Sequence, residues 1–209
     1  MSVGHIHDQP RPTNTARSAF HVLSGVIGVL LAEYAPWWLV MAVPITLAST
    51  FWLLEVTRRM SDAWNDTLMR FFAPIAHAHE RELVNSSTWY ATALSLLSLT
   101  GSPLAFGAGA IVLGLGDPAA ALVGRKYGRV ALVNNRTLEG TLTFVVVAFL
   151  AVLGVVLLWH DELSTMRMLA VCTAASGAGA LTELLSRRID DNFSIPVVTG
   201  AVVWAVLAV

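Results

Sequence analysis

The stretch Leu138–Trp159, LEGTLTFVVVAFLAVLGVVLLW, decides the fold class. Glu139, near its start, is its only charged residue. A bilayer hydrocarbon core of about 30 Å needs about 20 mostly apolar residues of helix, and this run supplies them. Working outward, comparable runs are Ala19–Ala32, Trp38–Leu54, Thr88–Thr100, Leu104–Val123, Met166–Leu185 and Ile195–Val209. Several are short and need a locally thinned bilayer. Trp37, Trp38, Trp52, Trp89 and Trp159 fall near run ends, where amphipathic rings settle at the water interface. The chain is 56% hydrophobic and 13% charged, whereas a soluble domain is about a quarter charged. The expectation is an all-α, polytopic membrane bundle of about seven transmembrane helices, folded as one domain over residues 1–209, without repeats or low-complexity tracts.

The basic residues orient it. Arg11 and Arg17 precede the first run, and Arg58, Arg59, Arg70 and Arg81 lie between the second and third. Arg125, Lys126, Arg129 and Arg136 separate the fourth from the fifth, and Arg187 and Arg188 the sixth from the seventh. Of the 13 Lys and Arg residues, Arg167 alone falls in the alternate connections. The positive-inside rule makes the basic side cytoplasmic, which predicts a multi-pass protein with its N-terminus inside, its C-terminus outside and its reactive face toward the cytoplasm. Met1–Asn14 is polar and lacks a signal peptide's apolar core, so a retained tail is expected.

Met60, Trp64, Leu68 and the pair Phe71–Phe72 recur at helical spacing beside Arg58, Asp62, Asp66 and Arg70. They predict an amphipathic helix, either lying in the interface or packed on the spans as a connector. A net charge of −1 argues against nucleic-acid binding. The single cysteine, Cys172, lies in an apolar run and reads as a packing residue. No zinc or nucleophilic-triad pattern is present, and the pairs His5/His7 and His77/His79 read as solvated histidines.

Charge near a bilayer is costly, so its placement is informative. Asp117 sits roughly 20 Å along the fourth run, counting 1.5 Å per residue, flanked by Gly114, Gly116 and Pro118. Proline disfavours helical geometry in the residue before it but suits the start of a new helix, where aspartate is a good N-cap. The run is therefore expected to break at Asp117, with a short helix restarting toward Gly124. Broken spans are tolerated where they line a polar cavity, and a helix N-terminus there offers amides to an anion. With Gly124, Arg125, Lys126, Gly128 and Arg129 following, the segment reads as a phosphate and metal site, or as a capping aspartate beside a positive-inside cluster.

Arg136, Thr137, Glu139 and Gly140 then bring a base, a hydroxyl and a carboxylate to the mouth of the fifth span. Thr137 as helix cap and Glu139 as a first-turn acid account for part of this segment equally well. Glu183 lies near the inner end of the sixth span, and Asp190, Asp191 and Asn192 precede the seventh, where they read as magnesium ligands or as a polar turn. Acids and bases on one membrane face suggest a nucleoside-triphosphate site with Mg2+ bridging phosphates.

Three stretches carry a resemblance: Gly116-Asp117-Pro118-Ala119-Ala120 with Gly124-Arg125 and Gly128; Arg136-Thr137-Leu138-Glu139-Gly140; and Asp191-Asn192-Phe193-Ser194-Ile195-Pro196. Weaker matches are Arg17 with His21 and Gly25, and Glu55 with Arg58 and Arg59. Together they resemble the CTP-dependent lipid kinases that include dolichol, phytol and farnesol kinases and the yeast-type diacylglycerol kinase, a group related to phosphatidate cytidylyltransferases. The chain departs from that pattern at Arg17-Ser18, where a basic pair is expected, and at Arg136, where lysine is commoner.

The resemblance implies transfer of the terminal phosphate of CTP to the hydroxyl of a membrane lipid alcohol: a polyprenol, phytol or farnesol, or diacylglycerol. It makes Asp117, Glu139 and Arg136 the catalytic candidates. Gly116, Gly124, Arg125, Lys126, Thr137, Gly140 and Asn192 become nucleotide-binding candidates, and Asp117, Glu183 and Asp191 metal-binding candidates. Which acid binds metal and which takes the hydroxyl proton stays open, as does CTP against ATP on the residues alone. Cytidylyl transfer to a phospholipid acid shares the nucleotide but lacks its lysine- and histidine-rich signature here. A small transporter would place its polar groups near the midplane, often in matching halves.

Overall fold

The computed structural model describes residues 15–72, 83–186 and 189–209. The readings made on Arg11, Arg81, Arg187, Arg188 and the two histidine pairs lie outside the described residues. Within them the chain is all-α, with no strand and one isolated bridge between Ala131 and Thr137.

The helices are α1 (Thr15–Tyr34), α2 (Trp37–Arg58), α3 (Asp62–Phe72), α4 (Ser86–Ser98), α5 (Pro103–Ile111), α6 (Asp117–Tyr127), α7 (Leu138–Trp159), α8 (Thr165–Leu185) and α9 (Asp191–Ala208). Each of the seven apolar runs forms helix. Among the described residues, six helical stretches are long and apolar enough to cross a membrane, α5 and α6 counting as one. The remaining run, α4, has 13 helical residues, about 20 Å at 1.5 Å per residue.

The burial pattern inverts that of a soluble domain. Leu23, Ile27, Leu142, Val146, Leu150 and Leu157 are exposed, while Glu55, Arg58, Glu183, Asn192 and Thr199 are buried. So much exposed apolar surface requires an apolar solvent, and the chain is an integral membrane protein.

α5 is the central helix. Every residue from Leu104 to Ile111 is buried, and α1, α4, α7 and α9 all pack on it. Small residues allow this crowding. A Cβ on Gly25 would lie 2.9 Å from the Ala110 carbonyl and 3.0 Å from the Gly114 Cα, so α1 and the end of α5 touch backbone to backbone.

The expected break at Asp117 does not occur. Residues Val112–Gly116 form a π-helical stretch that runs directly into α6. Asp117 is itself helical (φ −63°, ψ −49°), and it does not act as the cap. Breaking a helix inside a bilayer strips several backbone groups of their partners, at several kcal/mol each. Widening one turn relieves the clash of Pro118 with the preceding carbonyls at lower cost. Asp117 therefore projects from the middle of a continuous helix.

α3 forms as the amphipathic pattern predicts and packs on the end of α2, where Trp64 Nε1 donates to Thr57 Oγ1 (3.3 Å). At the far end of the bundle His160 Nε2 meets Glu33 Oε1 at 3.0 Å, tying α1 to α7.

Candidate functional site

The site is assembled at the bundle end where α1, α4, α7 and α9 begin and α2 and α8 finish. Its centre is Arg136, delivered by the turn before α7. Asn134 and Asn135 both adopt left-handed backbone (φ 56° and 57°), a conformation asparagine tolerates better than most residues. The turn is closed by Leu132 N to Arg136 O (2.8 Å) and Arg136 N to Val133 O (3.1 Å). Asn134 Nδ2 pins it to the end of α8 through the Leu184 carbonyl (2.8 Å).

So held, Arg136 donates from Nε to Glu183 Oε1 at 2.9 Å and from Nη2 to Asp191 Oδ2 at 3.2 Å. Glu183 is 2% exposed. Its second oxygen, Oε2, has no hydrogen-bond partner among the described residues. A guanidinium's planar fork suits two carboxylates at once.

Asp191 opens α9, and Asp190 caps it by accepting from the Asn192 amide (2.9 Å). The buried Asn192 side chain donates to Asp190 Oδ1 (2.7 Å) and Asp191 Oδ1 (3.0 Å), so its amide braces both acids. Burial pushes the Asp190 carboxyl above the ordinary range, and its bonds from Asn192 offset this in part. Asp190 Oδ2 accepts from Ser86 Oγ at 3.5 Å, and Ser86 Oγ accepts from Arg17 Nη2 at 3.1 Å. Asp117 completes the cluster from α6: the charges of Asp191, Arg136, Glu183 and Arg17 all act on it.

Ser86 had no sequence signal of its own. Its position derives from Glu55, whose Oε1 accepts from the Asn85 amide (2.9 Å) at the start of α4. Glu55 is in turn held by Arg58 Nε at 2.9 Å, and Arg58 also bonds Asn65 Oδ1 (3.0 Å) and the Leu83 carbonyl. The weakly matching Glu55 and Arg58 thus anchor α4, with Arg59 at the rim 3.8 Å from Glu55.

The remaining candidates cluster at the crossing of α6 and α7. Thr137 caps α7 by accepting from Gly140 N (3.2 Å). A Cβ on Gly124 would lie 2.9 Å from Thr137 Oγ1, and one on Gly140 would lie 3.0 Å from the Ala120 carbonyl, so both glycines permit close helix approach. Gly116 likewise abuts the Phe144 ring. Arg125 and Lys126 are exposed in the last turn of α6, with Lys126 Nζ 5.1 Å from the Tyr127 ring centre. Glu139 makes its contact away from Arg136, accepting from Val130 N at 3.4 Å. The structure therefore brings together Asp117, Arg136, Glu183, Asp191 and Asn192, and gives Gly116, Gly124, Thr137 and Gly140 packing contacts.

No family model matches the chain, and no solved structure matches it significantly. The chain is similar to the dolichol kinase of Saccharomyces cerevisiae, 36% identical over 107 residues that cover 48% of this chain and 18% of that protein. It is also similar to the phytol kinase of Synechocystis sp., 34% identical over 108 residues that cover 50% of this chain and 46% of that protein. The matched stretches thus span less than half the length of either relative, and about half of this chain resembles proteins named as kinases of lipid alcohols.

Proposed function

We propose that this protein is a lipid alcohol kinase that transfers the terminal phosphate of CTP to the hydroxyl of a membrane lipid at the cytoplasmic face. The observation that carries this reading is Arg136 held between Glu183 and Asp191, within electrostatic reach of Asp117. Names of the two relatives favour isoprenoid acceptors, a polyprenol or phytol, over diacylglycerol. CTP as donor follows from the motif resemblance.

Phosphoryl transfer asks a protein chiefly for positioning and charge neutralisation. The lipid oxygen forms a bond to the terminal phosphorus, the bond from that phosphorus to the bridging oxygen breaks, and the nucleoside diphosphate leaves. A carboxylate takes the hydroxyl proton, and Asp117, inside the apolar bundle, is the leading candidate. Arg136 exchanges a carboxylate contact for phosphate oxygens, while Arg125 and Lys126 add positive charge at the rim. Thr137, Gly124 and Gly140 shape the wall of the nucleotide site beside Glu139, and Asn192 keeps the two acids of α9 aimed.

The donor set fits magnesium arriving with the nucleotide. It offers hard oxygens, including the unpartnered Glu183 Oε2. Among the described residues no three His, Cys, Asp or Glu side chains gather closely enough to hold an ion alone, and magnesium commonly takes one or two carboxylates plus phosphate and water. One or two of Asp117, Glu183 and Asp191, together with phosphate oxygens and water, would hold it, and it would neutralise charge on the phosphates.

The test is transfer of label from gamma-labelled CTP and, separately, ATP into a panel of lipid alcohols by purified protein. The expected result is magnesium-dependent labelled isoprenoid phosphate from CTP in preference to ATP. Absence of labelled lipid with every acceptor and donor would refute the reading.

A further inference from the structure

A kinase of this kind must bring a hydroxyl to its acids while the hydrocarbon behind it stays in the bilayer. Two openings on the surface could serve. One is a groove of about 650 Å3 between α8 and α9, lined by Leu181, Leu185, Ile189 and Val198 with Ser186 and Ser194. Its hydroxyls are engaged locally: Ser186 Oγ donates to the Ile189 carbonyl (2.6 Å) and lies 3.0 Å from Ser194 Oγ, which donates to the Asp190 carbonyl (3.2 Å).

The other is a narrow cleft of about 10 Å3 between α1 and α4, walled by Arg17, Phe20, Asn85, Ser86, Ser87 and Tyr90. It differs in what its polar wall touches. Ser86 Oγ contacts both Arg17 Nη2 (3.1 Å) and Asp190 Oδ2 (3.5 Å), and the charge of Arg17 acts on Asp117. The polar wall of the cleft is therefore the outer wall of the acid cluster. Its other wall, Phe20 and Tyr90, is aromatic. Beyond Phe20, the exposed Leu23, Ile27, Leu30 and Tyr34 continue an apolar stripe along α1, a rise of about 21 Å at 1.5 Å per residue.

We infer that the α1–α4 cleft receives the hydroxyl end of the lipid alcohol, with its hydrocarbon leaving along the outer face of α1 into the bilayer. This rests on the phosphotransfer reading above. The cleft has room for about one water-sized group, so it admits the hydroxyl itself while the carbons behind it lie outside, against the stripe on α1. Selection therefore acts on bulk next to the hydroxyl, and tail length is read weakly because the stripe has no closed end.

Two measurements test this. Ser87→Leu fills the cleft without touching the Arg17–Ser86–Asp190 chain, and should raise KM for the lipid alcohol about tenfold while leaving KM for the nucleotide unchanged. An isoprenoid alcohol carrying a diazirine beside its hydroxyl should photolabel the segments 17–24 or 85–90. An unchanged lipid KM in Ser87→Leu, or labelling of Leu181, Leu185 or Val198 in place of the cleft, overturns the inference while leaving the kinase reading intact. If wild-type protein phosphorylates no alcohol, the kinase reading fails, and photolabelling still decides whether the cleft binds the alcohol.

Discussion

Arg136 and Glu183 meet at 2.9 Å although they come from different helices, one from the turn leading into α7 and the other from the last turns of α8. Glu183 is buried and Arg136 is largely so, which makes each the other's main electrostatic compensation. Removing one partner of a buried pair leaves a charge without a counter-ion, at a cost of about 3 kcal/mol or more. Arg136→Gln should accordingly lower the unfolding midpoint in detergent, and the double variant Arg136→Gln/Glu183→Gln should recover much of that loss. Additive losses in this double-mutant cycle would show that the two side chains are not coupled. Neither variant should transfer phosphate.

The turn that delivers Arg136 depends on two consecutive left-handed residues. Asn135→Gly keeps that conformation available and should stay close to wild type in stability and rate. Asn135→Val forces a β-branched residue to φ near 57°, which costs roughly 1–2 kcal/mol, and should slow transfer by displacing Arg136. Equal rates in the two variants would disconnect the turn from the chemistry.

Glycines of the α6–α7 crossing give a further contrast. A Cβ on Gly140 would lie 3.0 Å from a backbone carbonyl, whereas one on Gly154, in the same helix, meets nothing within 4 Å. Gly140→Ala should destabilise by about 1–3 kcal/mol through overpacking. Gly154→Ala should be neutral or stabilising by up to about 1 kcal/mol through helix propensity. Thermal unfolding of the two single variants side by side measures this.

Much of this was legible in the sequence because its physics is one-dimensional. Apolar runs marked the helices, and the expense of charge near a bilayer singled out Asp117, Arg136, Glu183 and Asp191, which the fold does bring together. Three features were not legible. The helix through Asp117 continues because unsatisfied backbone in a bilayer outweighs proline's local preference, a comparison between two energies that no local motif contains. Ser86 reaches the site through Glu55, Arg58 and Asn85, a chain of contacts set by tertiary packing. Gly124, Thr137 and Gly140 carry a pattern that close helix crossing and nucleotide binding would both require. Asn134-Asn135 did hold a readable signal, since paired asparagines before a helix favour left-handed turns.

The most direct test of the acid cluster as a phosphotransfer site is the rate of label transfer from gamma-labelled CTP to an isoprenoid alcohol by wild type and Asp117→Asn, each with and without magnesium. Asn preserves the shape of the side chain and removes its charge, so folding should survive, as the unfolding midpoint will report. The phosphotransfer assignment predicts a rate lower by at least about 100-fold, the scale of one general base, in a variant that still unfolds cooperatively. Transfer at the wild-type rate by folded Asp117→Asn protein would contradict it.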